Sequence, residues 1–329
     1  MKIYYVQSGF QQIYAYLDQA IVRSLNELGL SEQIGPYNEA KLVDAIRAES
    51  PDFILTLLGS RLQSSTFKVL TRKGIPIAVW LTEDPYYIDE TIKQIFKFDY
   101  IFTVDSAAKE IYEEAGHSSV FFLPLGADPS VYYPLKRTVQ PNFDLMLIGY
   151  PYPNRVKLMQ KILASLKISC LVVGRNWGQY LSVNKHPLLT IKDQWIPPKT
   201  VNQLLPFAAI HLNPHRPIQL KQNKNRFNVQ SKSMNNRTFD LASAQQFQLL
   251  EHKDDLNNHF RIDTEIISYY EANELFEKIS YFLQHSEERD QIARNARKRA
   301  LSDHTLKHRL KQMITHISHQ QSESLSSED

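Results

Sequence analysis

Short apolar runs alternate with amphipathic stretches along most of the chain. Ile3–Val6 is an apolar run of strand length. Residues Gln12 to Leu28 then place Ile13, Leu17, Ile21 and Leu25 four apart, the spacing of one helical face, with Gly29 where a C-cap would sit. The alternation continues with strands at Phe53–Leu58, Ile77–Leu81, Tyr100–Val104 and Val120–Leu123. Between them come helices at Ser64–Arg72, Ile88–Phe96 and Ala107–Ala115, the last closed by Gly116. Buried strands alternating with helices predict a parallel sheet covered on both faces.

Residues Tyr132 to Asn142 lose the period, carry two prolines, and read as a linker. The pattern then restarts. Strands are predicted at Asp144–Ile148, Ile168–Val173, Ile210–Leu212 and Phe247–Leu250, and helices at Arg155–Leu166, Val201–Ala208, Thr238–Ala244, Glu274–Leu283 and Ser286–Leu301. The organisation is α/β: two Rossmann-like domains, over 1–135 and 143–302, facing across a cleft. A helix over 303–320 is expected to cross back to the first domain, and 321–329 to be a disordered polar tail. In such sheets ligands bind beyond the carboxyl ends of the strands, which points to a site in the cleft.

A length of 329 residues suits two domains. The net charge of +3 excludes little by itself. The lone Cys170 lies in an apolar run and fits a buried strand residue in a reducing compartment. The N-terminus lacks the features of a signal peptide and no segment has the length of a membrane span, so a cytoplasmic location is expected.

The distribution of charge is more informative. Between Asp193 and Asp240 there is no acidic residue, while Lys199, Arg216, Lys221, Lys224, Arg226, Lys232 and Arg237 all fall there among many amides. Such a stretch suits a diphosphate, or else is a solvated basic loop. It runs into Asn235-Asn236-Arg237-Thr238, a helix start whose N–H groups attract phosphate. No glycine follows Gly178, so the second half has neither a G-x-G-x-x-G loop nor a P-loop. A phosphate must there be held by side chains and a helix end. Arg216 and Arg237 are the best diphosphate clamps, with Lys232 beside them, and Asn213 and Asn236 candidates to read base or sugar. Gly149 ends the first strand of the second half and allows close approach. Arg155 is either a phosphate contact or a surface residue. Ser8 and Gly9 follow the first strand. Glu83 and Asp84 follow the strand Ile77–Leu81, where one could serve as general base; Asp84 alternatively caps the turn at Pro85. The pairs His211/His215 and His304/His308 lack a metal-site pattern, so no metal or other cofactor is expected.

Several ordered segments resemble CgeB-like spore maturation glycosyltransferases. They are Trp80-Leu81-Thr82-Glu83-Asp84-Pro85, Phe98 to Asp105, Leu123-Pro124-Leu125-Gly126-Ala127-Asp128-Pro129 with Tyr132-Tyr133-Pro134, His211 to Arg216, and Ser233 to Asp240. The resemblance implies a GT-B fold, an acceptor-binding first half and a nucleotide-sugar-binding second half without metal. It places Asp240 at the ribose hydroxyls, where glutamate is commoner, and sets Gln245-Gln246 where the family tends to have glycine. The implied partners are a nucleotide-sugar, most simply a UDP-sugar, and an unknown acceptor such as a spore surface protein or polysaccharide; nucleic acid is not among them. A non-catalytic spore scaffold and a nucleotide-sugar epimerase are the competing readings.

Overall fold

The computed structural model describes residues 1–35, 39–49, 51–135 and 141–326, which form two compact units. Part of the expected linker, 136–140, lies outside the described residues.

Unit 1 comprises Met1–Gly126, Ile218–Ser233 and the chain from Leu306. Its strands are β1 (Ile3–Val6), β2 (Ser31–Gly35), β3 (Phe53–Leu57), β4 (Ile77–Leu81), β5 (Tyr100–Thr103) and β6 (Val120–Phe122). They form one sheet in the order β2-β1-β3-β4-β5-β6, parallel throughout. β3 and β4 are buried at every residue, which is why they read as near-continuous apolar runs, interrupted only by Thr56 of β3. The helices are α1 (Ile13–Glu27), α2 (Glu39–Glu49), α3 (Ser64–Lys73), the single turn α4 (Ile88–Thr91) and α5 (Ser106–Glu114). β2 and α2 were not legible in the sequence. The helix expected over Ile88–Phe96 is one α-turn continued as a 3₁₀ stretch, Ile92–Lys97. α5 begins at an N-cap, Asp105, whose carboxylate accepts from the N–H of Ala107 at 2.9 Å.

Unit 2 comprises Ala127–Pro217 and Met234–Thr305. Its strands are β7 (Phe143–Ile148), β8 (Cys170–Val173), β9 (Leu189–Lys192), β10 (Ala208–Asn213), β11 (Gln248–Glu251) and β12 (Ile267–Tyr269). Their order is β12-β11-β10-β7-β8-β9, again all parallel. The order reverses between β7 and β10, the topological switch point of a Rossmann sheet. The helices are α6 (Pro153–Ser165), α7 (Pro198–Leu204), α8 (Arg237–Ser243), α9 (Ala272–Gln284) and α10 (Ser286–Asp303). α6 starts with Pro153, which needs no N–H partner there. β9 (LTIK) and β12 (ISY) mix apolar with polar residues and were not read in the sequence. Cys170 is buried in β8, and burial pushes its thiol up to about 12.

The final helix, α11 (Leu306–Ser326), belongs to unit 1. Leu306, Leu310, Met313 and Ile317 enter the core with Leu17, Ile21 and Leu25 of α1. The polar tail expected from 321 corrects to helix as far as Ser326, because each added residue of a formed helix needs only one further hydrogen bond.

Candidate functional site

At the switch point of unit 2, β7 ends at Ile148, just before Gly149, and β10 ends at Asn213. The two glycines here are matters of space. A Cβ on Gly149 would meet Nη1 of Arg155 at 2.5 Å, and one on Gly174, after β8, would strike the carbonyl of Gly149. That carbonyl accepts the indole N–H of buried Trp177 at 2.8 Å. The strand ends are thus packed backbone to backbone, as a site needs where a ligand must lie close.

Beyond β10 a buried polar network fixes the loops. Asn213 donates through Nδ2 to Oγ1 of Thr238 and Oε1 of Gln248, both at 3.1 Å, and accepts from Asn235 at 3.0 Å. Its amide is fully used, so the expected reading of base or sugar by Asn213 is corrected to holding α8 against β10 and β11. His215 is buried; its backbone N–H donates to Glu251 at 2.7 Å and its ring meets the Glu251 carbonyl at 2.9 Å and Asn235 at 3.1 Å. Burial first, then the charges of Lys253 and Arg155, lower its pKa to about 3. The ring is therefore neutral, with Nε2–H donating to Glu251 and Nδ1 accepting from Asn235. Asn154 donates to the His215 carbonyl at 3.1 Å. The side-chain oxygens of Asn154 and Asn235, which touch this histidine, and of Asn236, next along the chain, are buried and have no hydrogen-bond partner among the described residues. Buried acceptors of this kind suit donor groups of a ligand.

Three arginines border the group. Arg155 donates to the carbonyls of Tyr150 (3.2 Å) and Pro214 (2.7 Å), and its guanidinium sits 4.9 Å from the Tyr152 ring. Arg216 lies over the same ring at 5.7 Å. Arg237, the first residue of α8, contacts Tyr132 at 3.2 Å and Asp240 at 3.4 Å. Asp240 is only 5% exposed and is also contacted by the Asn236 amide at 3.4 Å. Desolvation raises its pKa to about 7; Arg237 opposes that rise and Asp128 adds to it. The Gln245-Gln246 pair closes α8. Gln245 takes a left-handed φ of 56°, and Gln246 is buried with its amide folded onto the Ala244 carbonyl at 2.7 Å.

Lys232, Ser8 and Gly9 do not join this group: all three belong to unit 1. The acid-free stretch finds its acids there. The N–H of Arg226 donates to both oxygens of Asp89 (2.9 and 3.0 Å), Ser231 donates to Asp105 (2.7 Å), and Lys232 pairs with Glu110 (2.7 Å). A local excess of base was therefore the signature of a segment, 218–233, that packs on acids distant in sequence, and Lys232 is corrected from a phosphate contact to an ion-pair partner.

In unit 1 the carboxyl ends of β1 and β4 carry the remaining candidates. Ser8 is buried and bonded through N–H and Oγ to Asp18, which also accepts from Tyr5. Asp84 is buried and accepts from Thr103 (2.7 Å), Tyr112 (2.9 Å) and Thr91 (3.4 Å). Burial pushes its pKa to about 7, against these hydrogen bonds and with the help of Asp105. Asp84 is thus a hub tying the ends of β4 and β5 to α4 and α5, and the catalytic alternative for it is corrected. Glu83 beside it is half-buried and accepts from Tyr14 at 2.5 Å. Sequence reasoning missed Tyr14, Asn235, His215 as a neutral strut, and Glu251, because no local pattern marks residues that meet only in three dimensions. His211 bonds the Leu205 carbonyl and His304 that of His259. Among the described residues no three His, Cys, Asp or Glu side chains cluster as a metal site.

The two parallel sheets place the protein in the GT-B class of glycosyltransferase folds. Sucrose-phosphate synthase from Thermosynechococcus elongatus matches with a TM-score of 0.63 at 11% identity, covering 100% of both chains. Anabaena HepE, solved in complex with UDP and glucose, matches with 0.61 at 13% identity over 99% of this chain and 100% of that one. The profile of a family described as glycosyl transferase-like matches residues 155–315. Spore protein CgeB of Bacillus subtilis (strain 168) is 35% identical over 295 residues, 89% of this chain and 91% of that protein. The chain belongs to the CgeB-like glycosyltransferase family.

Proposed function

We propose that the protein transfers a glycosyl group from a uridine diphosphate sugar, bound by unit 2, to an acceptor hydroxyl, without a bound metal. The observation that carries this reading is the group at the β7/β10 switch point: packed glycine backbone, arginines 155, 216 and 237 around it, and buried asparagine oxygens lacking partners. Asp240, when ionised, accepts from the two ribose hydroxyls. The arginines meet the charge that develops on the departing diphosphate as the bond from the sugar's anomeric carbon breaks. Glu83 of unit 1, positioned by Tyr14, is the general base for an acceptor hydroxyl held on that unit. Uridine is supported by HepE, which was solved with UDP. The relative's designation as a spore protein supports an acceptor on the spore surface, whether protein or polysaccharide, and synthesis in the mother cell.

Calorimetric titration with UDP, GDP and their sugar conjugates tests the reading. Saturable UDP binding is expected, weakened about tenfold or more by Arg237→Ala or Asp240→Ala. A chain that binds none of these nucleotides would be a scaffold that keeps the fold.

A further inference from the structure

The switch point of the first sheet lies between β1 and β3, and the loops leaving these two strands hold an unusual concentration of left-handed backbone. Gly9 (φ 71°) and Gln12 (φ 61°) follow β1; Leu58 (φ 60°) and Gly59 (φ 67°) follow β3. For Gln12 and Leu58 this conformation costs free energy, and such strain collects where loops must present ligand contacts. A row of four side chains meets there, Arg61 and Phe10 from these loops, Tyr14 from α1 and Glu83 from the end of β4. Arg61 donates from Nε to the Ser8 carbonyl and from Nη2 to the Gly9 carbonyl, both at 3.3 Å. Its guanidinium stands 4.9 Å from the centroid of the Phe10 ring. Phe10 stands 5.7 Å from the ring of Tyr14, tilted by 54°, and Tyr14 holds Glu83. Gly9 makes room for this: a Cβ there would meet Nε of Arg61 at 3.2 Å.

Two features of the row speak to its ligand. Phe10 is 39% exposed although it lies in a loop fixed by the Ser8–Asp18 bonds, so an apolar ring is presented at the surface. Arg61 is exposed, immobilised by two carbonyls, and has no carboxylate partner among the described residues. Three of its five N–H donors remain outside those two bonds. Aromatic rings flanked by a fixed cation at one end and a carboxylate at the other fit a sugar ring carrying an anionic group.

We propose that the row Arg61–Phe10–Tyr14–Glu83 is an acceptor subsite for an acidic saccharide, whose ring packs on Phe10 and Tyr14, whose carboxylate or phosphate meets Arg61, and whose hydroxyl faces Glu83. The proposal rests on the glycosyltransferase reading. Arg61 then selects the acceptor, while Glu83 receives its proton.

The test uses the full chain with UDP present and three probes: methyl glucuronoside, methyl glucoside 6-phosphate and methyl glucoside. Binding is read by saturation-transfer NMR and titration. At least one anionic probe is expected to bind about fivefold or more tighter than the neutral one, and the preferred one tells uronate from phosphate. Arg61→Ala removes the preference, Arg61→Lys restores only part of it, and Phe10→Ala weakens the preferred probe. UDP affinity, measured alongside, stays at the wild-type value in each variant and marks an intact fold. Equal binding of neutral and anionic probes, an unchanged preference in Arg61→Ala, or UDP binding with no glycoside binding would overturn the proposal. Failure of the wild-type chain to bind UDP would instead overturn the donor reading, and the glycoside preference is scored independently of it.

Discussion

Asp240 shows how far burial moves the titration of a carboxyl. Its folded pKa of about 7, raised mainly by desolvation, leaves it half protonated near neutrality. On the proposed donor reading the ionised form is the better acceptor for two ribose hydroxyls, so nucleotide affinity should fall as pH drops below 7, by up to about tenfold per unit. Titrations at pH 8 and pH 6 check this, and Asp240→Asn should flatten the profile. For folding the sign is opposite. A carboxyl whose folded pKa lies above its unfolded one stabilises the fold most below the unfolded value, and that contribution is lost as pH rises through about 7. Asp84 behaves the same way. Gln245 makes a separate case. It ends α8 in a left-handed conformation with φ 56°, where glycine has no Cβ to strain. Gln245→Gly should stabilise the protein by about 1 kcal/mol, seen as a higher melting temperature.

Among the elements, the segment 218–233 departs most from its sequence. It is inserted between β10 and α8 of unit 2, yet it packs on unit 1. Lys224 exchanges backbone hydrogen bonds with Tyr86 (2.8 Å) and Asp89 (2.9 Å), and Val229 joins the core beside Leu81 and Ile88. The N–H groups of Arg226 and Phe227 and the Arg226 side chain hold the Asp89 carboxyl below its usual range, outweighing the desolvation that raises it. Asp89→Ala removes these acceptors and leaves the segment tied by fewer bonds. Trypsin should then cut after Lys224 or Arg226 roughly tenfold faster, because local opening becomes easier while the rest of the fold persists. Cleavage followed by mass spectrometry reads the outcome.

The whole molecule depends on a helix from the end of the chain. α11 supplies Leu306, Leu310, Met313 and Ile317, each at most 1% exposed, to the core of unit 1. At about 1.5–3 kcal/mol for each buried side chain, removing all four costs roughly 6–12 kcal/mol, comparable to the total stability of a domain. A chain ending at Thr305 should therefore lose the cooperative unfolding transition of unit 1, as followed by calorimetry, and expose its apolar face to dye binding.

What the sequence determined by itself is the repeated strand–helix order, since fully buried parallel strands must be apolar along their length and helices must carry a period near 3.6. The strand at Ile77–Leu81 was legible for that reason, as were the strand read over Tyr100–Val104, found at Tyr100–Thr103, and the helix read over Glu274–Leu283, found at Ala272–Gln284. The family resemblance added Asp240 as a proposed ribose contact. Tertiary structure alone decided which charges are spent within the fold. Lys232 and Arg226 face acids more than 100 residues away, Asn213 is consumed by a buried network, and Asp84 is a hub where Glu83, its neighbour, stays half-exposed. Electrostatic and hydrogen-bond partners are chosen by distance in space, and that distance is fixed only once both sheets have formed.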